Sequence, residues 1–526
     1  MLIEFLLAVT LASAFTVFLA PDRIAGKLAA ALSLLPLGTT LYMWTRFDAT
    51  GNALLTEGGA DFATTVEWFE LGQYTLQWNV GVDGVSFPLL VLTTVLTTLA
   101  IVSSWTPIDE RQSQFYGLML FMQTALIGVF TALDFFVWFI FWEGVLVPMY
   151  FLIAIWGGPR RKYAGAKFLL YTNLGSLVMF VGLFMLVLGL GDSLTELSLP
   201  AIAQALAAGG LSESVFIFEG SELEAVAFLL LFLGFAVKVP IVPFHTWLPD
   251  AHVQAPSPVS VILAGVLLKM GTYALLRFNF TMLPDVATTS PVAEIIAAVG
   301  LISVIYGAML ALAQRDLKRI VAYSSISSMG YVIIGLVAFT PHGMAGATFQ
   351  MISHGLISGL LFMSVGVLYN ATHTRMVGDM SGLADRMPIT AWIFVAGSFA
   401  YMGLPLMSGF VAEVLIFIGA FDSTVVSAAP LFTAGAMFGI VIVAGYLLWA
   451  MQRSIFGPFE LETDYDVTAA PVHEVAPLAV LVGLIVLLGV QPDLIYEVIL
   501  DSVDPVLELA ATVPRDLAAV LGGGLR

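Results

Sequence analysis

Long apolar stretches separated by short polar segments run through almost the whole chain. Clear examples are residues 115–132, 135–156 and 166–190. A helix needs about 20 apolar residues to cross the hydrocarbon core of a bilayer, and these stretches have about that length. The pattern predicts an all-α polytopic membrane protein with fourteen spans. We place them at 2–20, 24–45, 82–104, 115–132, 134–156, 165–190, 225–243, 256–278, 291–313, 319–340, 344–371, 389–420, 430–456 and 475–492.

Helix breakers interrupt two of these predicted spans. Span seven contains KVPIVP at 238–243, and span twelve contains GLPLMSGF at 403–410. Interrupted helices at matching places in two halves are typical of inverted-repeat transporters, which have their transport sites at the breaks. Ordinary proline kinks, which helix bundles tolerate, are the alternative. We favour two inverted five-helix repeats, with broken helices seven and twelve.

These repeats divide the chain into four parts. Residues 1–114 hold spans one to three with an outside loop, and 115–280 form the first repeat. Residues 281–456 form the second repeat, and 457–526 hold span fourteen and an amphipathic tail. In the outside loop, QYTLQWNV alternates between apolar and polar residues, which predicts a short strand.

Composition supports the membrane assignment and limits the chemistry. The chain is 59% hydrophobic and 11% charged, whereas soluble domains are roughly 45–50% apolar. It has no cysteine, which excludes disulfides and cysteine-ligated iron–sulfur clusters in this chain. The net charge of −18 is concentrated in a few loops, which indicates either a high-salt host or ordinary solvated loops.

The basic residues predict the orientation in the membrane. Thirteen of nineteen fall in loops after odd-numbered spans, and only Arg46, Arg277, Arg515 and Arg526 fall on the opposite side. The positive-inside rule therefore places both termini outside the cell membrane. The remaining two, Lys238 and Lys269, lie within predicted spans.

Four charged residues lie at membrane depth: Glu143, Lys238, Lys269 and Glu413. Lipid cannot stabilise such charges, so they indicate a function, although structural ion pairs or snorkelling helix ends are the alternative. Burial favours the neutral form of a lysine or glutamate, and a nearby opposite charge favours the charged form. Glu143 and Lys238 are therefore predicted to act as a proton switch. Lys269 would pass the proton along the membrane plane, and Glu413 would load or release it.

Histidines and hydroxyls extend the predicted relay. His245 follows Lys238 by seven residues, and His354 lies within span eleven. Histidine titrates near neutral pH and can pass a proton between its two nitrogens, although either residue could instead be a core histidine. The hydroxyls of YSSISSMG could hold water or join helices. The other four histidines are interpreted as loop residues and are assigned no role: His252, His342, His373 and His473.

Three long motifs carry a family resemblance. They are FWEGVLVPMYFLIAIWGG, KVPIVPFHTWLPDAHVQAPSPVSVILAGVLLKMGTYALLRF and DLKRIVAYSSISSMGYV. They resemble the antiporter-like membrane subunits of respiratory complex I, which are related to Mrp-type antiporter subunits, and the resemblance covers nearly the whole chain. It is most similar to the subunit M type, the counterpart of the fourth mitochondrial ND subunit. The phrase LLKMGTYALLRF and Glu413 favour that type, because the sister L and N types and the antiporters have lysine at the position of Glu413.

The resemblance implies one proton path, driven by quinone reduction in neighbouring subunits. It makes Glu143 the helix-five glutamate, Lys238 the helix-seven lysine and Lys269 the helix-eight lysine. It makes Glu413 the terminal glutamate of helix twelve, and His354 a helix-eleven histidine. One departure is ISSMG in place of ISHMG, which puts Ser328 where histidine is usual. The implied partners are the L, N, K, J, A and H types of subunit, with flavin and iron–sulfur clusters carried by other subunits and no cofactor in this chain.

The sequence therefore predicts a proton-translocating subunit of a membrane enzyme, an NADH (or related donor):quinone oxidoreductase. No glycine-rich dinucleotide loop follows a strand, so this chain is expected to lack a redox centre. The alternative is a subunit of a multi-subunit Mrp-type sodium/proton antiporter. A solute carrier is disfavoured, because the polar membrane residues are spread along the bundle and not gathered at one pocket. The electron donor, the quinone and any role of sodium stay open.

Overall fold

The computed structural model describes residues 1–463 and 465–512, which leaves Asp464, Arg515 and Arg526 outside the described residues. The chain forms helices with two small two-stranded sheets. The first half contains α1 (Leu2–Phe18), α2 (Asp22–Trp44), β1 (Asp61–Leu71), β2 (Tyr74–Val82), α3 (Ser86–Ser103), α4 (Gln112–Thr131), α5 (Phe135–Gly144), α6 (Leu146–Trp156), α7 (Arg161–Leu190), α8 (Leu199–Ala207), α9 (Gly220–Lys238), α10 (Trp247–Gln254), α11 (Ser257–Ile262), α12 (Leu268–Ala274) and α13 (Pro284–Ala287).

The second half continues with a similar succession of helices. It contains α14 (Val292–Leu312), α15 (Leu317–Val337), α16 (Pro341–Thr372), β3 (Met380–Ser381), α17 (Leu383–Arg386), α18 (Pro388–Tyr401), α19 (Ser408–Phe421), α20 (Ala429–Ser454), β4 (Glu460–Leu461), α21 (Val472–Val490) and α22 (Asp493–Ala511). Short 3₁₀ turns lie at Gly191–Ser193, Phe244–Thr246 and Val377–Asp379, and π-helical segments lie at Leu263–Leu267 and Leu275–Thr281.

The helices confirm the all-α polytopic class. Within the described residues, twelve helical segments are long and apolar enough to cross a membrane. Three further apolar helices, α1, α18 and α19, are shorter than these. If α1 crosses the membrane and α18 and α19 together form one crossing, the total reaches fourteen. That number stays a prediction, as do the four-part division and the inverted relation of the two repeats.

Both predicted helix breaks are present. Helix α9 ends at Lys238, and the chain passes through Pro240 and Pro243 before α10 begins at Trp247. These prolines have no N–H group to continue a helical ladder. In span twelve, α18 ends at Tyr401 and the chain turns through Gly403, which has a φ of +68°. That left-handed conformation suits glycine, because other residues would meet a steric penalty from their Cβ.

Two further interruptions are not predicted by the sequence pattern. Span five divides into α5 and α6 at Val145, because Pro148 cannot donate a hydrogen bond to the carbonyl of Gly144. Span eight alternates between α-helical and π-helical turns from Ser257 to Thr281. A π-helical turn widens the backbone ladder, and such turns are frequent at functional sites.

Helix α7 connects two chemically different ends of the bundle. One end, which we call the basic end, carries Arg160, Arg319 and Arg375 in the loops and helix starts. The other, which we call the hairpin end, carries the antiparallel hairpin of β1 and β2. Strand β2 confirms the strand predicted from QYTLQWNV. The sequence analysis misses β1, because most of its residues are exposed on both faces and leave no alternating apolar pattern.

Helix α22 is an amphipathic helix that connects the end of the chain to its beginning. The Asn52 side-chain amide donates to the Ser502 carbonyl at 2.8 Å. The Ser502 hydroxyl donates to the Gly51 carbonyl at 2.7 Å and accepts from the Gly84 N–H at 2.9 Å. A Cβ on Gly84 would lie 1.8 Å from the Val498 carbonyl oxygen, so the close approach of α22 requires glycine there.

A buried ion pair corrects the prediction for Arg277. The sequence analysis places this residue in an outside loop, but the helical segment continues to Thr281 and Arg277 is buried. Its guanidinium contacts the Asp83 carboxylate, which also accepts from the backbone N–H groups of Val85 and Ser86. Burial alone would raise the pKa of the Asp83 carboxyl, but Arg277 and these hydrogen bonds hold the pKa below its ordinary value.

We expect Arg277→Met to destabilise the subunit. Removing one partner of a buried ion pair leaves an uncompensated charge, which costs about 3–5 kcal/mol. The midpoint of thermal dissociation of the purified complex should therefore fall. The double variant Asp83→Asn with Arg277→Met should recover part of the loss, and Arg23→Met, at an exposed arginine, should leave the midpoint unchanged. Equal midpoints for Arg277→Met and Arg23→Met would contradict a stabilising role for the pair.

Candidate functional site

Lys238 and Glu143 lie at the break of helix seven and at the interruption of span five. Lys238 is 1% exposed, and its ammonium has no hydrogen-bond acceptor among the described residues. Glu143 is half-buried, and its Oε1 atom also has no partner in that part of the chain. The carboxylate and the ammonium influence each other electrostatically but lie farther apart than 4.0 Å. The structure thus brings the predicted pair together without closing it into a direct ion pair.

The neighbouring helix α12 approaches this break closely. A Cβ on Gly271 would lie 3.2 Å from the Cβ of Lys238 and 2.8 Å from a methyl carbon of Val239. Glycine at this position therefore allows the two backbones to come together. Lys269 lies two residues before Gly271, so the helix-seven and helix-eight lysines are on adjacent segments of the bundle.

Lys269 contacts His354 directly. Its Nζ lies 2.6 Å from His354 Nδ1 and donates to the Ala264 carbonyl at 2.5 Å. Ala264 belongs to the π-helical segment, whose wider ladder leaves carbonyl groups available to side chains. Both side chains are buried, so the contact is shielded from solvent. Two predicted relay residues from different helices are thus within proton-transfer distance.

A small cavity joins His354 to Glu413. Its volume is about 10 Å³, which is roughly the room that one water molecule needs. The lining residues are Ser328, Gln350, His354, Ile357, Ala400, Tyr401, Gly409 and Glu413. His354 Nε2 has no hydrogen-bond partner among the described residues, and Ser328 Oγ donates to the Tyr401 hydroxyl at 2.9 Å. Ser328 therefore lines the same cavity as His354 and Glu413.

The break of helix twelve positions Glu413. This side chain belongs to α19, and a Cβ on Gly403 would lie 2.2 Å from its Oε2 atom. The carboxylate therefore packs against the turn that separates α18 from α19. Because Gly403 also has a positive φ, the turn favours glycine for both conformation and space.

The other hydroxyls of YSSISSMG support helix packing. Ser324, Ser325 and Ser327 donate to backbone carbonyls, those of Ile320, Val321 and Val304. The Ser327 bond joins α15 to α14, which is the alternative that the sequence analysis leaves open, whereas the bonds of Ser324 and Ser325 are within α15. Ser328 is different, because its hydroxyl faces the cavity at Glu413.

His252 corrects a second prediction. The sequence analysis treats it as a loop residue, but it lies in α10, is fully buried and stacks on Phe362 with ring centroids 4.3 Å apart. Neither ring nitrogen has a hydrogen-bond partner within residues 1–463 and 465–512. Lys269 and Lys318 both act on it electrostatically.

Lys318 acts electrostatically on His252 and lies near the basic end of the bundle. Its side chain is buried, and its Nζ donates to the Ala255 carbonyl at 2.5 Å. Lys318 also lines a cavity of about 250 Å³, together with Ser257, Asn370 and Arg375. The sequence analysis counts Lys318 among the thirteen loop cations, because it lies just before predicted span ten, which begins at residue 319.

His245 lies apart from this group. It is in the turn between α9 and α10, and its ring meets the Tyr306 ring edge-on at 5.6 Å. Lys167 is the cation that acts on it electrostatically. The structure therefore places Lys269, His354 and Glu413 next to one another in space. Glu143 and Lys238 form a second pair beside this group. His245 is not in contact with either set.

Comparison with known proteins identifies the architecture. The family described as NADH:quinone oxidoreductase/Mrp antiporter, TM, matches residues 132–439, and that described as NADH-ubiquinone oxidoreductase chain 4, amino terminus, matches residues 60–129. Subunit M of the F(420)H(2) dehydrogenase of Methanosarcina mazei is 39% identical over 91% of this chain and 92% of its own length. An NAD(P)H-quinone oxidoreductase chain 4 of Trichormus variabilis is 41% identical over 88% of this chain and 82% of its own.

A solved structure agrees with these relatives. A chain of respiratory complex I from Thermus thermophilus with bound NADH superimposes with a TM-score of 0.84 and 25% identity, covering 97% of this chain and all of that one. The matches define an antiporter-like membrane subunit. The chain belongs to the NADH:quinone oxidoreductase/Mrp antiporter family, and its relatives place it with the chain 4, or subunit M, type, which confirms the resemblance stated from the motifs.

Proposed function

We propose that this chain translocates protons as a membrane subunit of a donor:quinone oxidoreductase complex. The observation that carries the proposal is the direct Lys269–His354 contact, which continues through a cavity of one-water size to Glu413. Titratable groups on adjacent helices within reach of one another form a pathway for protons, and such groups at membrane depth are otherwise unfavourable.

A cavity and a buried lysine at the basic end support the proposal that protons enter there. The cavity of about 250 Å³ reaches buried Lys318, and Lys318 acts electrostatically on His252, as does Lys269. Protons would enter at this cavity, pass Lys318 and His252, and reach the Lys269–His354 pair. Glu413 would then receive them and release them toward the hairpin end.

Glu143 and Lys238 are proposed to drive each transfer. Lys238 has no hydrogen bond in the described part of the chain, so it is free to approach or leave the Glu143 carboxylate. When the carboxylate is close, the ammonium is stabilised, and when the carboxylate leaves, the buried lysine tends to lose its proton. We expect quinone reduction in neighbouring subunits to control that distance.

The surroundings of the chain follow from the same proposal. The basic end would face the cytoplasm of the cell and both termini would lie outside, in agreement with the positive-inside rule. Partners would be the other membrane subunits of such a complex, and flavin and iron–sulfur clusters would be on subunits that receive the electrons. The relatives' names carry different donors, F(420)H(2) and NAD(P)H, so the donor is a property of other subunits.

An Mrp-type sodium/proton antiporter is the second candidate, because the matching family includes both classes. Glu413 favours the oxidoreductase, since the antiporters have lysine at that position. The two relatives named above are oxidoreductase subunits and agree with this preference. Membrane vesicles separate the candidates: an oxidoreductase subunit acidifies or alkalinises the lumen only during donor oxidation, whereas an antiporter does so after a sodium pulse without donor.

Lys269→Met provides the test of the pathway. We expect donor oxidation with an assembled complex but loss of proton translocation, because methionine has a similar length and cannot carry a proton to His354. Lys269→Arg should retain part of the charge-dependent structure but translocate poorly, since arginine does not release its proton. Translocation is measured with a pH-sensitive dye in vesicles. Lys27→Met, at an exposed lysine, is the matched control, and normal translocation by Lys269→Met would refute the pathway.

A further inference from the structure

The ammonium of Lys238 faces an aromatic ring where an acceptor atom would be expected. Its Nζ lies 4.7 Å from the centroid of the Trp142 ring. An ammonium within about 6 Å of an aromatic face is attracted to it, and the attraction is strongest where water is excluded. Lys238 and Trp142 are each 1% exposed, so this contact is dry.

The Trp142 ring is fixed in place from three sides. Its Nε1 donates a hydrogen bond of 2.9 Å to Ser176 Oγ on α7. Its ring packs edge-on against Phe235 of α9, with centroids 5.6 Å apart, and in a tilted arrangement against Trp138 of its own helix, with centroids 4.8 Å apart. The indole therefore cannot turn its face away from Lys238 without losing the bond to Ser176.

Glu143 is the charged group that acts on Lys238 within the described residues. It follows Trp142 directly in the chain, so the aromatic face and the carboxylate are offered by consecutive residues near the end of α5. A small movement of the lysine side chain could exchange one for the other. Other titratable groups on the elements packed against α9 are Arg161, Lys162, Tyr163, Lys167, Tyr171, His245, Lys269, Tyr273, Arg277 and Asp285.

We propose that Trp142 is a positioning residue of the proton switch, and that its indole face is a second resting place for the Lys238 ammonium. The proposal rests on the proposed function of the chain. The ring quadrupole attracts the charged ammonium but gives little to a neutral amine. Trp142 therefore keeps Lys238 protonated while the ion pair with Glu143 is open, and it delays proton release until a further change moves the lysine off the ring.

Substitution of Trp142 tests this role. In Trp142→Leu, the lysine should lose its proton about tenfold more easily, so the alkaline limb of the pH profile of proton translocation should move about one pH unit lower. Trp142→Phe keeps an aromatic face and should move the limb less. Ser176→Ala frees the indole and should give an intermediate shift. Trp138→Phe changes a ring that packs against Trp142 and is the control for packing losses, whereas Trp392→Phe, at an exposed tryptophan, should leave the limb in place.

Translocation and donor oxidation are measured together in vesicles from pH 6 to 10, with assembly checked on native gels. If the alkaline limb of Trp142→Leu coincides with that of the unsubstituted complex, Trp142 does not position the Lys238 ammonium. Equal losses at every pH in Trp142→Phe and Trp138→Phe would also overturn the role, because these would reflect packing alone. If Trp142→Leu does not assemble, Trp142→Phe and Ser176→Ala carry the test.

A parallel measurement on Lys238→Met separates this inference from the proposed function. An inactive Lys238→Met with an unshifted Trp142→Leu would refute only the role of Trp142. Normal translocation by Lys238→Met would refute the proton switch itself. An inactive Lys238→Met with a graded shift from leucine to phenylalanine at position 142 supports both.

Discussion

Lys238→Met is expected to leave the complex assembled and to abolish most proton translocation coupled to donor oxidation. The buried ammonium has no hydrogen bond within the described chain, so its replacement by an apolar side chain of similar length removes little packing. A group that accepts and donates a proton in each cycle contributes about a hundredfold or more to rate. Glu143→Gln should have the same effect, because the amide cannot draw the ammonium by charge.

Two readouts define that result. Donor oxidation in the presence of an uncoupler shows that the redox part works, and dye quenching in sealed vesicles reports translocation. Glu462→Gln changes an exposed glutamate and serves as the matched control for Glu143→Gln. If either Lys238→Met or Glu143→Gln translocates at the rate of Glu462→Gln, the two residues are a structural pair and the switch is excluded.

The second large effect is expected from Glu413→Gln. Glutamine keeps the size of the side chain against Gly403 but can no longer take a proton from the cavity that it shares with His354. We expect translocation to fall to the same low level as in Lys238→Met, with normal assembly. After a single pulse of donor, time-resolved dye measurements should show no release of protons on the side of the vesicle membrane that corresponds to the hairpin end.

Gly403→Ala checks the same site without removing the carboxylate. The added Cβ would lie 2.2 Å from Glu413 Oε2, and the positive φ disfavours alanine, so the glutamate must move. We expect reduced translocation in a variant whose titratable groups are all present. Full activity of Glu413→Gln would exclude this glutamate from the path, whereas full activity of Gly403→Ala alone would show that its exact position matters little.

Local sequence signals predicted the parts of the site that depend on a single segment. Charges inside apolar stretches pointed to Lys238, Lys269 and Glu413, and proline and glycine placed both breaks. These signals are strong because lipid tolerates neither an unpaired charge nor an unsatisfied backbone without a reason. The membrane class and the family followed from the same segments.

Features that depend on several segments were not accessible in this way. His252 lies in a short polar helix after two prolines, so its burial against Phe362 of α16 depends on packing between distant segments. Arg277 was interpreted as lying at the end of a span, because no residue near it in the sequence indicates that it pairs with the distant Asp83. The π-helical turn just before Lys269 leaves no hydropathy signal, since its residues, LAGVL, are apolar whether the ladder is α or π.

The attachment of helix α22 has a consequence for biogenesis. Ser502 completes hydrogen bonds of Gly51, Asn52 and Gly84, which are made about 420 to 450 residues earlier in translation. Those early loop groups lack these partners until residue 502 has been synthesised and helix α22 has packed against them. Truncated or stalled chains would therefore present an unfinished extramembrane surface, which gives quality-control proteases a simple way to distinguish them from completed ones.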